Sequence, residues 1–288
     1  MRLLRLALTA LAGFVPACAS TPPPPQEPAR VLRAIAENQR GEQLYARGEY
    51  DAAAAHYRRA LQAAESIEDE DGIAANVVSI ARVQHRAGDL AGAAASLDRL
   101  LEERTLGFAA RHVAEAAMRR ALLALESGDL GLAEHWVGHA RNACPEPCAL
   151  RAKLVGVLAY LAIARAQPEE AEQWAAEAAT LAKASAEREE LANALRLLGV
   201  AALLRGEPAR ALVRLGEALA IDKQLALPRA IANDLVAMAR AHATLGDLPQ
   251  ARAHYERAGA VAAADGNLPV QEQVRRALAA LATREPGK

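Results

Sequence analysis

The sequence predicts an all-α fold, a solenoid of six stacked helix pairs closed by a C-terminal helix. Three observations carry this. Of 288 residues, 52% are hydrophobic but only 3% aromatic, so the apolar content is chiefly Ala and Leu. That composition suits closely packed helices and not strands, which favour β-branched and aromatic residues. Glycines at 48, 88, 128, 206 and 246 stand 40, 40, 78 and 40 residues apart, and Ala166-Gln167-Pro168 divides the long interval into 38 and 40. A helical run stands before and after each of these six turns, which is the pattern of a repeat array.

The first element is an address rather than part of the fold. "MRLLRLALTALAGFVPACAS" carries Arg2 and Arg5, an apolar run from Leu6 to Val15, and small residues before Cys18. This pattern predicts a signal peptide over 1–17, too short for a spanning helix. The stretch "VPAC" resembles a bacterial lipobox, with Val15 and Ala17 in place and Cys18 as the lipidated residue; Pro16 departs from the usual small residue. Ordinary cleavage after Ala19 is the alternative, and it would leave the chain soluble in the periplasm. Ala19 after the cysteine implies, by that resemblance, the outer membrane facing the periplasm. Removal of Met1–Ala17 deletes two arginines and no acids and shifts the formal charge from −1 to −3. Five prolines between Thr21 and Pro28 then predict a stiff spacer over 18–29, extended by about 3.1 Å per residue.

The repeat region is expected over 30–266. In each copy Gly ends the first helix, because it accepts positive φ without steric cost. The acid that follows (Glu49, Asp89, Asp129, Glu207, Asp247) starts the second helix, where the helix dipole favours negative charge. Pro208 and Pro249 fall in the first turn of that helix, where the missing N–H costs little. Five residues past the turn come Ala53, Ala93, Ala133, Ala171, Ala211 and Ala251. Twelve past it come Ala60, Leu100, Ala140, Ala178, Ala218 and Ala258. Small residues there let helices approach to the short end of roughly 8–10 Å. Larger plugs (Tyr57, Leu97, Val137, Leu215, Tyr255) lie between them in most copies. The last element, over 267–288, reads as a capping helix and tail, with one apolar stripe of Val270, Val274, Leu278 and Leu281.

These turns, alanines and the aromatics at Tyr57 and Tyr255 resemble the tetratricopeptide repeat, over roughly Ala34 to Ala262. The period of about 40 is similar to the forty-residue class of that repeat rather than the commoner 34. The tryptophan of its first helix is absent, and the eighth-position glycine is kept only at Gly41 and Gly199. The resemblance implies a right-handed α-solenoid whose first helices line a concave groove, with contacts at positions 2, 5, 9 and 12. Position 9 is Glu42, Arg82, Leu122, Tyr160, Val200 and Arg240; position 12 includes Tyr45, His85, Leu125, Ile163 and Leu203; position 5 adds Met118 and Arg196. The outer copies are polar and the middle three apolar. The expectation is therefore an apolar central groove for a helix or extended segment, with charged rims. Glu42 replaces the Asn that the family's carboxylate clamp needs, so chaperone-tail binding is not expected.

No catalytic set stands out, and no enzyme activity, cofactor or metal is expected. His135 and His139 in "HWVGH" have a metal-compatible spacing, but Trp136 occupies the place of a zincin Glu and no third ligand is evident. Cys144 and Cys148 in "NACPEPCAL" stand where the third copy meets the fourth. In an oxidising compartment a local disulfide is the first expectation; reduced structural thiols and a metal or redox role are the alternatives. With 34 basic and 35 acidic residues interspersed, no basic stripe invites nucleic acid. The expected function is a non-enzymatic adaptor, anchored through Cys18 to the outer membrane, that docks protein clients of the cell envelope. That resemblance implies envelope, pilus-secretin or peptidoglycan assembly. The alternatives are a self-assembling structural lipoprotein, which would form homo-oligomers, and a metal or redox carrier using Cys144 and Cys148.

Overall fold

A computed structural model describes residues 28–102 and 107–283. The leader, Cys18 and nearly all of the expected spacer lie outside the described residues. Within them the chain forms α1 (Ala29–Ala46), α2 (Tyr50–Glu65), α3 (Glu70–Arg86), α4 (Leu90–Glu102), α5 (Ala110–Ser127) and α6 (Leu130–Asn142). It continues through α7 (Arg151–Ala164), α8 (Pro168–Ala184), α9 (Arg188–Leu204), α10 (Pro208–Gln224), α11 (Pro228–Thr244), α12 (Leu248–Ala264) and α13 (Leu268–Ala282). Successive helices pair as six repeats, and α13 covers the last. α1 begins inside the segment assigned to the spacer, with Pro28 as its N-cap.

Every turn inside a repeat has the same form. Gly48 adopts φ +77°, and the other four turn glycines are alike. In the fourth copy Ala166 takes the left-handed conformation at φ +54°. The amide that follows closes the turn onto the carbonyl five residues back, as in Glu49 N–H to Leu44 O at 3.0 Å and Gln167 N–H to Ala162 O at 2.9 Å. This is the Schellman closure of a helix C-terminus. The repeat glycines did not reveal that four of the turns leading out of a repeat use the same closure. Glu68, Ala186, Ala226 and Gly266 also have positive φ. Left-handed residues therefore recur every 20 residues at 166, 186, 206, 226, 246 and 266. Non-glycine residues hold half of these positions, because helix packing on both sides outweighs the local cost.

The acids after the turns divide by length. Asp89, Asp129 and Asp247 each accept an N–H three residues on, at 2.8, 2.9 and 3.2 Å. Glu49 and Glu207 make no such cap. Their extra methylene carries the carboxylate past the amide, and Glu207 instead pairs with Arg205 and Arg210.

The core is built on the small residues. All six alanines five past the turn have no exposure, and the plugs Tyr57 and Leu215 are likewise sealed. The kept eighth-position glycines face these plugs. A Cβ on Gly41 would lie 2.6 Å from Tyr57 Cε1, and one on Gly199 2.6 Å from Leu215 Cγ. Ala211→Trp is expected to lower stability by about 1–3 kcal/mol through overpacking. An unchanged denaturation midpoint would show that Ala211 does not sit in the packed layer. On α13, Val270, Val274 and Leu281 are buried and Leu278 packs partly against them.

Among the described junctions, that between α6 and α7 breaks the rhythm. Between α6 and α7 a loop, 143–150, replaces the tight turn, and Cys144 and Cys148 are bonded to each other across it. The odd-numbered helices each pack on the next odd one, from α1·α3 through α11·α13, whereas no even helix comes within that reach of the next even one. The odd helices thus form the crowded inner layer, and the even helices fan out behind them. None of the described helices is long and apolar enough to cross a membrane.

Candidate functional site

The inner layer carries a hollow of about 400 Å³ over the third to sixth repeats. α5 contributes Met118, Arg119 and Leu122; α7 contributes Lys153, Gly156, Val157 and Tyr160; α9 contributes Glu189, Glu190, Asn193, Arg196 and Leu197. Asp222 of α10 and Ala230 of α11 complete the lining. Tyr160 stands 42% exposed at the edge. α7 carries Gly156 where α5 and α9 carry Met118 and Arg196, so α7 places no side chain in the lining at that register.

Four groove residues expected from the sequence therefore meet here: Met118, Leu122, Tyr160 and Arg196. Two need correction. Met118 and Leu125 are buried, at 5% and 7% exposure, within the cluster formed by α5, α6 and α7. Their helix turns them onto the neighbouring repeat rather than into open groove, although Met118 still borders the hollow. Ile163, Val200 and Leu203 are half-buried and pack on the alanine layers below. Arg240 is exposed but lies outside the hollow.

The expected charged rim at the first two repeats is tied up among its own residues. Arg82 pairs with Glu42 at 3.2 Å and stacks 4.5 Å above the Tyr45 ring. Arg86 Nε donates to Tyr45 Oη at 2.8 Å, and His85 meets Glu126 of the third repeat. Each partner lies one repeat away in sequence, so these contacts stitch neighbouring inner helices together.

The centre is also not simply apolar. Lys153 pairs with Glu190 at 3.6 Å, and burial raises the Glu190 carboxyl above its usual range. Arg119 is held by Glu115 at 2.8 Å. Deeper in, Arg196 Nε donates to Asp234 at 2.6 Å, Nη1 donates to Asn193 at 3.1 Å, and Nη2 pairs with Asp222. Asp222 and Asp234 are 1% and 0% exposed. One guanidinium thus faces two buried carboxylates. Burial, reinforced by Asp222 and opposed by Arg196, pushes Asp234 up to about 7. One oxygen of each aspartate, Asp222 Oδ1 and Asp234 Oδ2, has no hydrogen-bond partner.

The repeat does flag both aspartates. Sixteen residues past the turn, other copies place buried Ala64, Cys144, Ala182 and Ala262 where the fifth has Asp222. Asp234 holds a position that is Ala116, Leu154 and Ala194 elsewhere. The second copy has Asn76 there, and Asn38 donates to it at 2.9 Å across the same 38-residue step that separates Arg196 from Asp234. Lys153 and Asn193 stand at contact position 2, which reading positions 9 and 12 passed over. Among the described residues no group of His, Cys, Asp and Glu is arranged to hold a metal.

No known protein family matches the sequence, and no curated protein matches it. Solved structures do match. The chain superposes on the Cut9–Hcn1 hetero-tetramer of APC/C with a TM-score of 0.62 at 13% identity, over 85% of this chain and 43% of that one. A Rap protein complexed with Competence and Sporulation Factor gives 0.61 at 14%, over 88% and 75%. A signal-transduction ATPase with a tetratricopeptide repeat sensor, from Pyrococcus horikoshii, gives 0.60 at 15%, over 86% and 37%. The chain therefore spans less than half the length of two of these structures. At such identities the likeness shows the fold alone: a tetratricopeptide-like α-solenoid.

Proposed function

We propose that this chain is a non-enzymatic scaffold that holds a segment of a protein client against its inner helix layer. The observation that carries this is the hollow over the third to sixth repeats, where apolar Met118, Leu122 and Val157 adjoin a polar cluster around Arg196. Concave sites that combine apolar walls with a few placed polar groups are those that retain ligands. Among the solved structures of similar fold is a Rap protein complexed with Competence and Sporulation Factor.

The setting we propose is the periplasmic face of the outer membrane, with Cys18 as the lipid anchor. The leader pattern before Cys18 supports it, as does the Cys144–Cys148 bond, since disulfides persist in oxidising compartments. Envelope assembly is then the proposed process.

The test is a photo-crosslinking residue at position 160 in intact cells, with position 240 as the comparison site. A discrete adduct at 160, absent at 240, is the expected result. Silence at 160 with crosslinks between copies of this chain at other faces would replace the proposal with self-assembly.

A further inference from the structure

We propose that the end of the solenoid formed by α1 docks on an anionic lipid surface, with the outward face of that helix lying in the bilayer interface. This goes beyond the hollow and shares with the proposed function only the anchor at Cys18. The buried residues of α1 are Ala34, Gly41 and Leu44, and among the described helices it touches α2 and α3 alone. On its uncovered side Leu32 and Ile35 stand 53% and 44% exposed, in line with exposed Ala36, Gln39 and Gln43. Arg33, Arg40 and Arg47 run beside them at intervals of seven, about two helical turns, and all three are exposed. Arg30 adds a fourth cation at the start of the helix. None of the four has an ion-pair partner among the described residues, and Arg40 donates to Gln43 at 3.1 Å. No exposed residue of α1 is acidic: Glu37 and Glu42 are half-buried and held by Arg59, His56 and Arg82. The exposed acids Glu49 and Asp51 come only past the turn.

A helix face that sets an apolar stripe beside a row of unpaired arginines suits the boundary between lipid phosphates and acyl chains. The opposite end of the solenoid is built otherwise. There Glu272 of α13 pairs with Arg275 at 2.7 Å and with Arg276 at 2.6 Å, so the cap carries its own counter-charge. A second copy brought end-on to α1 offers either the same arginines or ones already paired with Glu272. A nucleic acid supplies phosphates but leaves Leu32 and Ile35 in water. A bilayer surface meets both parts of the face. Position favours it too: Ala29, the first residue of α1, stands eleven residues after Cys18. A stretch of that length reaches at most about 40 Å. An acyl anchor and a basic patch together are the two signals that hold a chain stably at a membrane. Because none of the described helices can cross a membrane, the contact is interfacial. Standing on α1, the solenoid rises end-on from the bilayer, and the hollow of the third to sixth repeats stays clear of lipid.

The experiment uses the chain from position 18 onward with Cys18→Ser, which keeps every described residue and can carry no acyl group there. Flotation measures its binding to vesicles of phosphatidylcholine alone and of phosphatidylcholine mixed with phosphatidylglycerol. The mixed vesicles are expected to retain the chain and the neutral ones to release it, with retention falling as salt rises. The triple variant Arg33→Gln, Arg40→Gln, Arg47→Gln should lower the partition coefficient about a hundredfold, the summed worth of three cations near an anionic surface. The pair Leu32→Gln, Ile35→Gln should lower it about tenfold by removing the apolar contact. All five positions are exposed, so the melting temperature of both variants should hold. Equal retention on the two vesicles, retention on neither, or a triple variant that binds like its parent overturns the inference. So does a chain that sediments as a dimer, reverts to monomer with Leu32→Gln, Ile35→Gln and stays off the vesicles, since a second copy then covers the face. Mass spectrometry of the chain from cells separates the anchor from the docking face. Retention on mixed vesicles with no acyl group on Cys18 upholds the face and removes the anchor; an acylated Cys18 without retention removes the face and leaves the anchor and the hollow standing.

Discussion

Arg196→Met is expected to cost about 3–5 kcal/mol of unfolding free energy, the usual effect of removing one partner from a buried ionic group. The substitution keeps an unbranched apolar stem but removes the guanidinium and strands Asp222 and Asp234, which have 1% and 0% exposure and no other cation in bonding contact. Chemical denaturation measures it, and a loss below about 1 kcal/mol would mean that the site is wetter than its burial implies. The same pair predicts a pH dependence. In the unfolded chain Asp234 ionises near the ordinary aspartate value of about 4; in the fold burial raises it to about 7. Between these values the native state holds a proton that the unfolded state has released. The contribution of Asp234 is therefore fully present below about pH 4 and is lost as pH rises through about 7. Asp234→Asn keeps the shape, removes the titration and places an amide donor beside Asp222. It is expected to be closest to the wild type near pH 5 and to gain on it toward pH 8. Parallel stability profiles for the two proteins would refute the assignment.

Leu215→Ala is expected to destabilise by about 2–5 kcal/mol, because Leu215 is fully buried in the packed alanine layer between α9 and α10. Its interest lies in the coupling to Gly199. A Cβ on Gly199 would sit 2.6 Å from Leu215 Cγ, 2.8 Å from Cδ2 and 3.3 Å from the Ala211 carbonyl oxygen. Gly199→Ala alone should therefore destabilise by overpacking, by about 1–3 kcal/mol, despite the better helix propensity of alanine. In the Leu215→Ala background the two nearest obstructing atoms, Leu215 Cγ and Cδ2, are gone and only the Ala211 carbonyl oxygen remains close. There the same Gly199→Ala change should be neutral or stabilising, by up to about 1 kcal/mol. The double-mutant cycle reads this directly. Additive losses would mean that the two helices separate freely and that the glycine is not a contact requirement.

Much of this was legible because repeats compare a chain with itself. The turn glycines, the alanines five and twelve residues on and the plugs locate twelve helices in the sequence alone, and all six alanines five past the turn lie in the sealed layer. The degenerate fourth turn at Ala166 also falls where spacing put it, with alanine in the left-handed conformation that glycine holds elsewhere. The site was less legible. Position counting along the first helices reached Leu122, Tyr160 and Arg196, but it counted Met118 and Leu125 as groove residues when their faces pack inward. It also passed over Asp222, because that residue belongs to a second helix.

Periodicity is a local property, set by 3.6 residues per turn and by which side chains end a helix. By itself the sequence thus determined the helix pairs, their register and the small-residue layer that brings them together. Which charges meet is not local. Arg196, Asp222 and Asp234 come from α9, α10 and α11, and their ion pairs depend on the angle at which one repeat stacks on the next. Only the tertiary structure decided that the central groove is floored by a buried acid pair, because stacking removed those carboxylates from water and left one guanidinium to face two of them.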